Sequence, residues 1–136
     1  MLSAEVEIPI RFSEVDSLRI VWHGHYIQYF EDAREAFGAK YNFRYLEVYG
    51  KGYVMPIVKI SCEYKRPLKY GDTAIVKADY IPTEAAKVIF KYEIRSKASQ
   101  ELLATGESMQ VFLDSDMNLM LTVPEYIQQW KKQHGL

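Results

Sequence analysis

The chemistry this chain could do is concentrated between Asp16 and Arg34, in Asp16-Ser17-Leu18-Arg19-Ile20-Val21-Trp22-His23-Gly24-His25-Tyr26 and the patterned segment that follows. A free aspartate has a pKa of about 3.9, so Asp16 is ionised at neutral pH. Such a carboxylate can attack an electrophilic carbonyl or take a proton from water. Its bland role is that of a turn residue or helix N-cap. Seven positions separate it from His23, where the next helix begins, and that is too far for simple capping. His23 by itself reads as a surface or capping histidine. His23 and His25 do not make a metal pair, because residues two apart face different sides of a helix.

The elements that must position these residues follow from periodicity. Val6, Ile8, Ile10 and Phe12 alternate with Glu5, Glu7, Pro9, Arg11 and Ser13, the period of a strand with one buried face. Pro9 cannot donate to a ladder, which places this strand at a sheet edge or leaves that position unpaired. Tyr26, Phe30, Ala33 and Phe37 then recur at helical spacing, with Ile27 and Tyr29 widening the stripe. This predicts an amphipathic helix over 23–37, ending near Gly38. A short helix is expected over 43–49, closed by Gly50 and Gly52.

Four strands follow. Val54, Val58, Ile60, Cys62 and Tyr64 form one apolar face; Ala74, Val76, Ala78 and Tyr80 a second; Val88, Phe90, Tyr92 and Ile94 a third. The last run, about 102–113, is less regular, and Gly106 suggests a bend or bulge. Short connections favour antiparallel hairpins. A C-terminal helix over 124–132 opens on proline. The sheet needs a cover, and the long helix is the only element of sufficient size.

Composition narrows the partners. The 136 residues suit one domain, with 49% hydrophobic and 26% charged residues, ordinary values for a globular protein. A net charge of −1 and the lack of a basic, aromatic-interleaved motif argue against nucleic acid. Cys62 is alone, so no internal disulfide forms, and it reads as a small buried apolar residue. The N-terminal residues do not resemble a secretory signal, and no apolar run approaches the ~20 residues of a spanning helix. A cytoplasmic location is the expectation.

The pattern Arg11-Phe12-x-Glu14-x-Asp16, then Val21-Trp22-His23-x-x-Tyr26-x-x-Tyr29-Phe30-Glu31-x-Ala33-Arg34, resembles the hotdog-fold acyl-CoA thioesterases. The lineage is the one containing 4-hydroxybenzoyl-CoA thioesterase and the Tol-Pal-associated thioesterases. Lys65-Arg66-Pro67-Leu68-x-Tyr70-Gly71-Asp72 matches it too. One departure stands out: relatives carry a glycine two or three residues after the aspartate, where this chain has Ser17-Leu18-Arg19.

The resemblance implies an α+β hotdog fold, an antiparallel sheet wrapped around one long helix. It also implies a homodimer or homotetramer, with sites between subunits and no cofactor. Asp16 becomes the catalytic carboxylate, as nucleophile or as base. His23 and Gly24 supply backbone N–H groups for the thioester oxygen, as the first amides of a helix lack internal partners and carry about half a positive charge. The His23 imidazole would orient water or the thiolate, and the absent Gly24 side chain would let the backbone approach the ligand. Tyr26 is an acyl-pocket candidate, and Lys65 and Arg66 are candidates for the phosphates of coenzyme A. Glu31 reads as a structural acid paired with Arg34 or Arg11. An internal helix acid such as Asp32 belongs to a second hotdog lineage. An acyl-carrier-protein thioesterase and a non-catalytic acyl-binding protein stay open as alternatives.

Overall fold

The computed structural model describes residues 1–136. Five strands form one antiparallel sheet: β1 (Ser3–Pro9), β2 (Ile57–Tyr64), β3 (Thr73–Ile81), β4 (Lys87–Ser96) and β5 (Leu102–Val111), in spatial order β1-β3-β4-β5-β2. Helix α1 (His25–Tyr41) packs on β1 and β3. Two further helices, α2 (Tyr45–Gly50) and α3 (Glu125–Gln133), complete the chain. This is the hotdog arrangement that the resemblance implied.

Strand β1 lies at an edge, one of the two placements Pro9 allows, with Pro9 opposite Thr73. Its inward face is Ala4, Val6, Ile8 and Ile10. Phe12 does not continue it: the chain enters a 3-10 turn over Phe12–Glu14, and Phe12 is exposed, edge-on to Tyr70. The apolar face of α1 is Tyr26, Tyr29, Phe30, Ala33 and Phe37, each at most 3% exposed. Each buried phenylalanine of this kind contributes about 1.5–3 kcal/mol. Phe30 stacks on Tyr92 at 4.4 Å between ring centroids, and Phe37 meets Phe90 at 4.9 Å.

Two glycines have roles other than those expected. Gly38 does not end α1, which runs to Tyr41 and stops at Asn42 in the left-handed conformation (φ 56°). A Cβ on Gly38 would lie 2.8 Å from the Phe43 carbonyl oxygen, so this glycine lets the chain fold back against the helix. Gly106 is not a bulge. It pairs in register with both Tyr92 and Cys62, and a Cβ there would overlap the Phe30 ring. The irregularity lies nearby, at Leu103, which is the extra residue between the pairs Ile94–Ala104 and Arg95–Leu102.

The face expected for β2 is only partly covered, with Ile60 and Cys62 packed against the core. Val58 is 57% and Tyr64 49% exposed, because β2 is the sheet edge beyond β5, away from the strands that α1 covers. Val54 stands outside the strand and bridges Leu113. In α3, Pro124 is the N-cap rather than the first helical residue.

Candidate active site

After β1 the chain makes the 3-10 turn and then a tight hairpin. The Val21 N–H donates to the Leu68 carbonyl at 2.8 Å and the Trp22 N–H to the Glu14 carbonyl at 2.9 Å. Ile20 bridges Lys69, and Val15 bridges Val21. The turn at Lys69–Asp72 is itself closed by the Lys69 N–H donating to Asp72 Oδ2 at 2.9 Å. The two sequence motifs are thus neighbours in space: the second is the bed on which the first lies. Glu14 clamps the hairpin to the helix. Its Oε1 accepts the Arg11 N–H at 2.7 Å and its Oε2 accepts the Tyr29 hydroxyl at 3.0 Å. Burial, reinforced by this carboxylate, pushes the Tyr29 hydroxyl far above its usual pKa, so Tyr29 remains a donor to Glu14.

Asp16 sits at the tip. Its N–H donates to the Ile20 carbonyl and its own carbonyl accepts the Arg19 N–H, both at 2.9 Å. Oδ1 accepts the Leu18 N–H at 2.8 Å, an Asx turn, while Oδ2 has no partner within the chain. Arg19 has φ 65°, a conformation that costs a non-glycine residue roughly 1–2 kcal/mol. The departure from the family pattern therefore falls on the position that needs glycine's backbone freedom. The turn keeps its left-handed residue without one.

Seven residues on, the chain enters α1 through His23 and Gly24. Neither of their N–H groups donates to any group of the chain, and Gly24, the N-cap, has no capping side chain. These are the free donors expected at a helix start. Gly24 has ordinary helical angles (φ −67°, ψ −23°), so its need is for space. A Cβ would overlap the half-exposed Trp22 indole, which folds over the helix start. The space expected for a ligand is filled by this ring. The His23 ring is exposed, 5.0 Å from that of Trp22. His25 pairs through Nδ1 with Gln28 Oε1 at 2.9 Å. No group of three His, Cys, Asp or Glu is placed to hold a metal.

Tyr26, expected in an acyl pocket, is 3% exposed, and its hydroxyl accepts the Leu68 N–H at 3.3 Å. It is a strut between the helix and the second motif, because the helical stripe that names it is the buried one. Tyr64, read only as part of an apolar strand face, donates its hydroxyl to the His23 carbonyl at 2.7 Å. The Tyr26 ring supports it at 4.7 Å, edge to face. The usable signal was a phenol at the end of a strand, whose hydroxyl needs a partner.

Lys65 pairs with Glu63 at 3.5 Å and Arg66 with Glu101 at 2.6 Å, all four exposed. Glu31 has no ion pair: Arg34 instead donates to the Tyr92 hydroxyl at 2.9 Å. Burial, followed by the charges of Glu31, Glu14 and Glu35, raises the Asp32 carboxyl above the ordinary range. Cys62 is partly exposed, and burial pushes its thiol up.

A cavity of about 570 Å³ lies beside the C-terminal half of α1, among Arg34, Phe43, Met55 and Phe90. A second, of about 880 Å³ between β1 and α1, is lined by Glu14, Tyr29, Glu31 and Asp32. Neither touches Asp16, His23 or Gly24. The residues with chemical potential lie instead on the open face between the hairpin, the start of α1 and the end of edge strand β2.

Residues 10–131 match the family model of the Thioesterase-like superfamily. The chain is 33% identical over 110 residues to YneP of Bacillus subtilis, provisionally named an acyl-CoA thioesterase, covering 81% of this chain and 79% of that one. It is 29% identical over 111 residues to an acyl-acyl carrier protein thioesterase of Arabidopsis thaliana, covering 82% of this chain and 58% of that one. Among solved structures, a DHNA-CoA thioesterase from Staphylococcus aureus superposes with a TM-score of 0.86 at 25% identity, over 100% of this chain and 93% of that one.

Proposed function

This chain belongs to the Thioesterase-like superfamily and is a thioester hydrolase, and from that premise we propose that its substrate is an acyl-CoA and that Asp16 carries the reaction. The observation behind this reading is one pairing. A carboxylate oxygen without a partner stands at the tip of a hairpin, and two free backbone donors at a helix start follow directly on that hairpin's last paired residue, Trp22.

The thioester oxygen takes the His23 and Gly24 N–H groups, where one such donor in a closed site is worth roughly 3 kcal/mol to the transition state. Asp16 takes a proton from water as the water oxygen bonds to the carbonyl carbon. The tetrahedral species then collapses, expelling the CoA thiolate, which receives the proton. In the covalent variant Asp16 itself attacks and water cleaves the resulting anhydride. A single turnover in ¹⁸O-water tests for the covalent route: when water attacks the Asp16 carboxyl carbon of the anhydride, the bond from that carbon to the bridging oxygen breaks, the first product carries an unlabelled Asp16 oxygen, and the label is left in Asp16. The His23 imidazole orients the water or the departing thiolate. No cofactor or metal is needed.

The open site calls for a partner surface. Two chains joined along their β2 edges would cover Ile57, Val58 and Tyr64, which are 36%, 57% and 49% exposed, and would pair an otherwise unprotected strand. Lys65 and Arg66 meet the phosphates of coenzyme A. Their pairs with Glu63 and Glu101 are exposed and worth little, so exchange for a phosphate is easy.

Asp16→Asn tests the assignment. The amide oxygen still accepts the Leu18 N–H, so the turn, the melting temperature and acyl-CoA binding should persist, while kcat falls by about 10²–10⁴. Turnover near that of the parent would sink the reading. The likeness to a carrier-protein thioesterase favours a second substrate form. Rates on one acyl group attached to CoA and to carrier protein decide between them.

A further inference from the structure

We infer that Tyr64 is a positioning residue for this reaction, aiming and strengthening the Gly24 N–H by binding the other end of the same peptide. The Tyr64 hydroxyl donates to the His23 carbonyl oxygen at 2.7 Å. That carbonyl and the Gly24 N–H belong to one rigid planar unit and point in opposite directions. Holding one end sets the rotation of the other. The Gly24 N–H has no partner in the chain, and the only other hydrogen bond on this peptide is the longer one its carbonyl accepts from the Tyr26 N–H, at 3.4 Å. A hydrogen bond to the carbonyl also polarises the peptide and makes its N–H the better donor.

The hydroxyl is itself well held. Tyr64 closes β2, 41 positions along the chain from His23. Its ring rests edge-on against Tyr26 at 4.7 Å, and the Tyr26 hydroxyl is fixed by the Leu68 N–H at 3.3 Å. Burial, with Cys62 and Tyr26 nearby, pushes the Tyr64 hydroxyl up to about 12. It therefore remains a protonated donor throughout the neutral range. The polar contact reaches from the sheet edge to the point in the helix where a donor is left open, which packing alone would not require.

The inference rests on the thioesterase reading, and the experiment separates the two. Tyr64→Phe keeps the ring and removes the hydroxyl; Asp16→Asn is measured beside it. If Tyr64 positions the donor, Tyr64→Phe lowers kcat about tenfold, less than the 10²–10³ seen when such a donor is removed outright. KM stays within about twofold of the parent. In ¹⁵N-labelled protein without substrate, the Gly24 amide proton moves upfield in Tyr64→Phe, a readout independent of activity. An unchanged Gly24 amide shift overturns the inference, as does a parent-like kcat in Tyr64→Phe when Asp16→Asn is inactive. A rise in KM with kcat intact assigns Tyr64 to substrate binding and also overturns it. Full activity in Asp16→Asn overturns the thioesterase mechanism and leaves the amide shift to decide the role of Tyr64.

Discussion

The two ends of α1 are built on opposite principles. At the C-terminal end, Asn42 takes the left-handed conformation and returns its N–H to the Gly38 carbonyl, which also accepts the Phe43 N–H at 2.9 Å. Trp130 donates its indole N–H to the Tyr41 carbonyl at 2.7 Å while packing against Phe37 and Phe43. Orphan carbonyls are satisfied, and the aromatic side chains are sealed. At the N-terminal end, two N–H groups have no partner, the capping residue is glycine, and Trp22 is 49% exposed. An N-cap serine or aspartate in place of Gly24 would accept from a first-turn N–H, that of Tyr26 or Ile27, and add about 1 kcal/mol. The helix is anchored at one end and left open at the other.

Three substitutions test that division, beginning with the anchored end. Phe37→Ala should cost about 3–5 kcal/mol of unfolding free energy, read from denaturant melts, while the folded fraction keeps its kcat. A large fall in kcat per folded molecule would show that the two ends are not separable. At the open end, Gly24→Ala should do the reverse. The new methyl displaces the Trp22 indole, and a displacement of this size should lower kcat by about 10- to 100-fold, with a small change in melting temperature. Equal losses of stability and activity would erase the contrast. The smallest effect belongs to the hairpin tip. Arg19→Gly relieves the left-handed strain and should gain about 1 kcal/mol of stability without shifting kcat. The glycine also loosens the unfolded chain, so a loss of stability would mean that Arg19 makes a compensating contact.

Much of the fold was legible because it is written in local periods. Pro9 pointed to an edge, the Tyr26–Phe37 spacing announced a helix, and alternation marked β3 and β4 with their buried faces. The misread positions are those where a distant neighbour decides. Gly38 looked like a helix stop because glycine often is one, yet its carbonyl and the space above it serve Phe43. Gly106 looked like a bulge because glycine weakens strands, yet the Phe30 ring takes the room of its side chain. Within the site, residue type alone makes Asp16 a turn residue and His23 a surface histidine; it is the family resemblance that singles out Asp16 and the His23–Gly24 pair. Tyr26 reads first as packing from its place on the helix stripe, and it is buried there at 3% exposure. Glu14 could be seen in the motif without its clamp on Tyr29.

By itself, the sequence determined where the helices and strands lie, which faces they bury, and that a carboxylate precedes a helix start by seven residues. Backbone preference and side-chain period are properties of a short stretch, so a short stretch suffices to read them. Only the tertiary structure decided that β2 closes the sheet beside β5 and brings Tyr64 to the His23 carbonyl across 41 positions. Pairing partners are chosen by the packing of the whole sheet around α1, and no local rule encodes which strand is left at the edge. The same packing holds Arg19 at φ 65°, a conformation that its own side chain disfavours and that its neighbours across the hairpin impose.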